Sequence, residues 1–144
     1  QIPTSGTNYS YWVTTRLNVS VAPSGTINNI KWYTDGSNTF GTGITCKVGQ
    51  VTGTNGSDTG YVQATGTAGT TGTQLLAANY SGLSPSTPTD VFTYTSASPL
   101  SVTGTITTTT GDLGNFVIYQ TEVGTTAGPG VSGTETFTWR YDET

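Results

Sequence analysis

The sequence predicts an all-β protein: a single antiparallel β-sandwich of about eight strands, jelly-roll or immunoglobulin-like, with at most one short helix. Three observations carry this. Apolar and polar residues alternate in short runs, the period of a half-buried strand. The runs are separated by Gly, Pro and Asn turns at the close spacing of sandwiches and small barrels. Charged residues make up only 8% of the chain, against about 25% in an ordinary soluble protein, and Thr, Ser and Gly fill the gap. Thr is β-branched and suits a pleated surface whose outer face is wet. The 10% of aromatic residues separates this chain from a disordered polar tract.

Residues 1–8 read as an extended arm, broken at Pro3 and Gly6 and anchored only by Ile2. Tyr11–Val21 is the first strand, with Tyr11, Val13, Leu17, Val19 and Val21 on its inner face. Trp12 then falls on the outer face, the ring best placed to be exposed or to fill an interface. After a turn at Ala22–Gly25, Ile27–Thr34 is the second strand and Ile44–Val48 the third. The connection between them, Asp35–Gly43, is too long for a two-residue hairpin, and Phe40 within it pins the loop to the core. Val51–Gly60 is a polar loop, Tyr61–Thr65 a short strand, and Gly66–Gly72 a mobile low-complexity piece.

Thr73–Asn79 is the one plausible helix, a turn or two capped by Thr73. Ser84–Pro88 reads as a Pro-punctuated loop, Val91–Thr95 as a fifth strand and Leu100–Thr108 as a sixth. Asn115–Val123 follows the turn at Gly111–Gly114. It is apolar on both faces, the mark of a central strand. Beyond the Gly-rich loop Thr125–Gly133, Glu135–Tyr141 is the last strand, with Phe137, Trp139 and Tyr141 inward.

A chain of 144 residues suits one domain, here residues 9–144 behind the arm. At this size roughly 68–70% of the unfolded surface can be buried, so neither disulfides nor metal are needed. The net charge is −4, and Arg16, Lys31, Lys47 and Arg140 are scattered singly. No basic patch awaits phosphates, so no nucleic-acid partner is expected. No apolar run approaches 18 residues, so no membrane partner is expected either. The chain has no Met, which fits a processed or internal start.

The chemistry on offer is thin. With no His and one Cys, Ser/His/Asp and Cys/His nucleophile systems have no members within the chain. Cys46 shares its parity with Ile44 and Val48 and reads as a buried, inert thiol. Glu122 and Glu135 flank a loop and would make a hydrolytic pair only if a cleft held them 5–10 Å apart. Solvated strand-end acids are the simpler reading. No Ca²⁺ loop of the D-x-D-x-D-G kind is present, and Asn55-Gly56 and Gly111-Asp112 are turn chemistry. No cofactor, metal or catalytic residue is assigned.

Ile30-Lys31-Trp32-Tyr33-Thr34-Asp35-Gly36, followed by Gly41-Thr42-Gly43-Ile44-Thr45, resembles a group of small virion structural proteins of tailed phages. The likeness continues at Tyr61–Thr67, Pro99–Thr103 and Glu135–Thr144, so it spans most of the chain. These are motifs of strands and turns and bring no active residues with them. The resemblance implies a non-enzymatic β-sandwich on the virion surface that decorates or cements a capsid, or sits elsewhere on the particle. Its partners would be the major capsid protein or sister subunits, in a homo-oligomer or lattice. The residues put forward for partner contact are Gln1, Ile2, Pro3 and Thr4 of the arm, with Trp12 and Phe40. Two alternatives stay open: an extracellular filament subunit joined by a donated arm or strand, and a secreted glycan-binding adhesin using Trp12.

Overall fold

The computed structural model describes residues 1–67, 70–130 and 132–144. It contains ten strands, β1 (Thr7–Tyr9), β2 (Val13–Val19), β3 (Ile27–Tyr33), β4 (Ile44–Val51), β5 (Gly66–Thr67), β6 (Thr71–Gly72), β7 (Ser84–Asp90), β8 (Leu100–Ser101), β9 (Gly111–Gly124) and β10 (Thr138–Glu143). Among the described residues the single helical element is a 3-10 turn at Val91–Thr93. The all-β antiparallel class is therefore the one the alternation predicts.

β9 organises the larger sheet. Its 14 residues exceed the usual strand length of about 5–6, long enough for two strands to share one edge. β2 pairs with its first part, from Gly111 to Tyr119, and β1 with its end, from Glu122 to Gly124. The other edge of β9 pairs with β4, and β4 pairs in turn with β7. The second sheet is β10-β3-β8, and β5 and β6 form a separate small ribbon. β3 and β4 thus lie in different sheets, and the Gly-rich loop between them crosses from one sheet to the other.

Both faces of β9 are buried, as its two-sided apolar pattern requires. Leu113 and Val117 face the three-stranded sheet, in a core with Ile30, Trp32, Cys46, Val48, Val91 and Leu100. Phe116 and Ile118 face the other way, into a second core with Trp12, Val51, Leu75, Tyr80 and Leu83. The first core is a sandwich interior. The second lies beneath the segment between β4 and β7, which contains few strand residues.

Several elements depart from the expected pattern, each for a local reason. The register of β2 against β9 shifts by two residues between Thr15 and Leu17, with the extra residues on β9. β2 therefore keeps its parity and Trp12 points away from the first core, but that face is covered by the second core. Leu17 and Val19 stay inward, but Tyr11 and Val13 are exposed and Trp12 is only 6% exposed. The expectation of an exposed Trp12 is therefore overturned. Its ring packs on Tyr80 with centroids 5.5 Å apart, and its indole N–H donates to the Val62 carbonyl at 2.9 Å.

Tyr61–Thr65 is not a strand; Val62 and Ala64 pack on the second core from an irregular backbone. The helix expected at Thr73–Asn79 is absent because its amides bond elsewhere. Thr73 N donates to Thr65 O and Ala77 N to Ser86 O, while Leu75 N donates to the Gln120 side chain. Ser84–Pro88 belongs to β7 rather than to a loop, and its prolines are tolerated because β7 is an edge strand. Val91–Thr95 turns instead of extending, because the Asp90 carboxylate caps Phe92 N at 3.0 Å.

The strand read at Leu100–Thr108 ends at Ser101. The chain then leaves for β9, where Thr103 O accepts from Asn115 N at 2.7 Å. A Cβ at Gly104 would run into the Gly114 backbone, so only glycine permits this approach. The register of β10 against β3 shifts between Arg140 and Asp142, with the extra residue on β3, and Tyr141, expected inward, is 50% exposed. The mobile piece expected at Gly66–Gly72 falls partly on residues 68 and 69, which lie outside the described residues, while Gly66–Thr67 and Thr71–Gly72 pair as β5 and β6.

Candidate functional site

The two register shifts and the turn between β2 and β3 shape one end of the sandwich. Arg16 is the single β2 residue at the register shift, opposite Gly114–Phe116 of β9, and its guanidinium folds back over the sheet. Its Nε donates to Gly114 O and its Nη1 to Ser57 O, both at 2.7 Å, and it lies 4.6 Å from the centre of the Phe116 ring. Burial pulls the Arg16 guanidinium below its ordinary pKa, and Asp112 and Asp58 oppose that shift. Past the shift the chain runs through Leu17, Val19 and Val21 and turns at Pro23–Gly25 to enter β3.

The end of β10 closes on this turn. Thr26 and Thr144 exchange two backbone hydrogen bonds, of 2.6 and 3.0 Å. A Cβ on Gly25 would run into the Thr144 carbonyl, so the approach depends on glycine. The Glu143 carboxylate accepts from Ser24 N at 2.9 Å and from Ser24 Oγ at 3.1 Å.

Between β2 and β10 this leaves an open groove of about 480 Å³ whose apolar lining is Leu17, Val19, Val21, Ile27, Leu113 and Tyr141. Val21 is 78% exposed on one rim and Tyr141 50% on the other. The groove follows the seam of the sandwich. β2 pairs only with β9, and β10 only with β3, so each presents an unpaired edge among the described residues.

Glu143 lines this groove, and Asp142 is next to it in the chain. Asp112 accepts from Asn18, Asp142 from Asn29 and Glu143 from Ser24. All three donors are neutral. Among the described residues the one ion pair is Lys47–Asp90, at 3.6 Å, on neighbouring strands β4 and β7 of the large sheet.

The residues put forward from sequence do not converge. Gln1 accepts from the Asn8 side chain at 3.1 Å and lines a smaller cavity of about 220 Å³, together with Tyr9, Tyr11, Thr67 and Thr71. Ile2 and Thr4 are exposed and Pro3 is half-buried. Thr7 and Asn8 belong to β1, so the arm is stitched to β9 at its end. Phe40 is half-buried against the first core, its ring 6.2 Å from that of Phe92, the pin expected of it. Trp12 is inside the second core.

Glu122 and Glu135 accept from different hydroxyls, Thr45 and Thr39, and Glu135 also accepts from Thr39 N. Neither lines either cavity. Among the described residues no three His, Cys, Asp or Glu side chains cluster as a metal site would. Cys46 is fully buried, and loss of solvation pushes its thiol up to about 12. Tyr119 is raised as well, by burial and then by Cys46. A neutral, enclosed thiol is a poor nucleophile.

The seam was not read from the sequence. Val21 and Tyr141 continue the apolar alternation of their strands, so they passed for core residues. The available signal was their position, each at the strand's end and beside Pro23 or the acidic run Asp142-Glu143.

No helix of the described residues is long and apolar enough to cross a membrane. Comparison with protein-family models, curated proteins and solved structures found no match.

Proposed function

We propose that this chain is a non-enzymatic structural protein of a tailed-phage virion, a particle-surface subunit that decorates or cements the capsid. The observation that carries the reading is the open seam: two unpaired strand edges flank an apolar groove, on a protein whose remaining surface is rich in hydroxyls and poor in charge. A sandwich that only needed to be soluble gains nothing from exposing Val21 and Tyr141 at one end. A subunit held by a lattice does gain, since such positions are covered on assembly. The sequence resemblance supports the same reading, and neither the part-exposed and exposed acids nor the buried thiol favours a competing one.

The filament alternative rests on the same seam, with a sister copy as the occupant. The glycan-binding alternative loses its platform, because Trp12 lies beneath Tyr80. The test is mass spectrometry and immunogold labelling of density-banded particles, alongside light scattering of the isolated chain. Stoichiometric presence on particles with a non-polymerising free chain is the expected result. Absence from particles together with self-assembly into fibres would replace it with the filament reading.

A further inference from the structure

We propose that the seam between β2 and β10 binds an extended segment of a partner chain, one with alternating apolar residues and a Lys or Arg beside them, added to the sandwich as a further strand. The proposal names the partner chemistry for the docking reading above and rests on that reading. Its first support is the backbone. An unpaired strand edge offers a row of N–H and C=O groups, and an incoming strand satisfies them without regard to its sequence.

The floor supplies a preference for side chains. Leu17, Val19, Ile27 and Leu113 line the groove, with Val21 and Tyr141 on its rims. A strand laid here sends every second residue into the groove, so alternate positions must be apolar.

Length is set by the edge that lines the groove. Of β2, Leu17–Val19 does so, roughly 10 Å at the rise of a strand. A short segment fits and a long sheet-to-sheet fusion does not.

Charge selects the partner. Glu143 lines the groove and accepts only from Ser24, and Asp142 next to it in the chain accepts from Asn29. A second copy docking seam to seam would bring these acids against themselves, and like charges brought together at an interface cost affinity. A segment with a cationic residue next to its apolar positions supplies the missing countercharge.

The test selects a displayed library of random nine-residue peptides on the full chain and maps the winners by amide chemical shifts. Three results are expected. Enriched peptides share apolar residues at alternate positions and at least one Lys or Arg. Their shifts fall on Leu17–Val21 and Tyr141–Glu143. Affinity drops at least tenfold with Val21→Lys, with proline at the peptide's centre, or with Glu in place of its basic residue. Val21 is an exposed rim residue, so this variant keeps its fold, and its unchanged amide spectrum checks that. The proposal is overturned if no peptide is enriched, if binding maps elsewhere, or if acidic peptides bind equally well. Particle occupancy of Val21→Lys separates the two readings. Undiminished occupancy removes the seam proposal and leaves the virion reading; peptide binding by a chain absent from particles does the reverse.

Discussion

The two faces of the large sheet are covered in different ways. On one face, the β10-β3-β8 sheet brings apolar side chains at regular strand positions: Ile30, Trp32 and Leu100 against Cys46, Val48 and Val117. On the other face the cover is mostly irregular backbone, and single polar side chains fix its position. Gln120 is 1% exposed and saturates its amide, accepting from Leu75 N at 2.7 Å and donating to Ser10 O and Thr73 O at 2.7 and 2.8 Å. Asn55 donates to Thr105 O and accepts from Gly114 N. The hydroxyl of Tyr80 accepts from Val62 N. The first cover is held by area, and the second by area plus a few polar contacts that have no substitutes.

The two covers should therefore fail differently. Trp32→Ala in the first core is expected to cost about 4 kcal/mol, the usual price of removing a buried Trp, and to lower every probe of folding together. Gln120→Leu keeps a similar volume but strands a buried amide and two carbonyls, which at about 1–3 kcal/mol for an unsatisfied buried group totals roughly 3 kcal/mol. Its signature is regional. Hydrogen exchange should accelerate at Leu75 and its neighbours well before the amides of β3 and β4 respond. Uniform acceleration across both cores would mean that the second cover is not a separate unit of stability.

The same contrast explains what was legible in the sequence. Alternation exposed β3, β4 and the two-sided β9, because a strand's period follows directly from burial on one face or both. It also placed Cys46 and Trp32 correctly. It misplaced Trp12, Val21 and Tyr141, because alternation gives the face of a residue and not whether that face is covered: the second core covers Trp12, while Val21 and Tyr141 are left exposed. The second cover was almost invisible. Tyr61–Thr65 alternates like a strand and Thr73–Asn79 spaces like a helix, yet both are overruled by contacts with residues tens of positions away: Val62 with Trp12 and Leu75 with Gln120. The seam was hidden for a related reason. It is defined by the strands that β2 and β10 lack, and an absent neighbour has no sequence signal of its own.

Alkaline pH should weaken the first core ahead of the second. The folded-state pKa of Cys46 is raised to about 12 by burial, and Tyr119 beside it is raised too. In the unfolded chain the thiol ionises near its ordinary value, so above that value the unfolded state holds fewer protons and gains in relative stability. The contribution is fully present below about pH 8.5, the unperturbed thiol value, and is lost as pH rises toward about 12. The expected outcome is a melting temperature that is level to pH 8 and falls from pH 9 upward. Cys46→Ala should start lower but decline less steeply. Parallel curves for the two proteins would show that the thiol is not the source.

The smallest expected effect concerns the outer face of the three-stranded sheet. There, Lys31 and Arg140 are direct cross-strand partners. Lys31 donates to Ser101 Oγ at 2.8 Å rather than to a carboxylate. Like charges placed opposite each other cost about 0.2–1 kcal/mol. Such a pair persists only where solvent can screen it, which marks this face as wet in the isolated chain, unlike the covered face of the large sheet. Arg140→Thr should raise stability by about 0.5 kcal/mol at low salt, and added salt should erase most of the gain, because exposed charges are screened within about 10 Å at 0.1 M. Urea midpoints at two ionic strengths measure it. A gain that survives high salt would assign the effect to the β-propensity of Thr instead of to charge. No gain at low salt would mean that the two side chains diverge in solution and that this face carries no electrostatic cost.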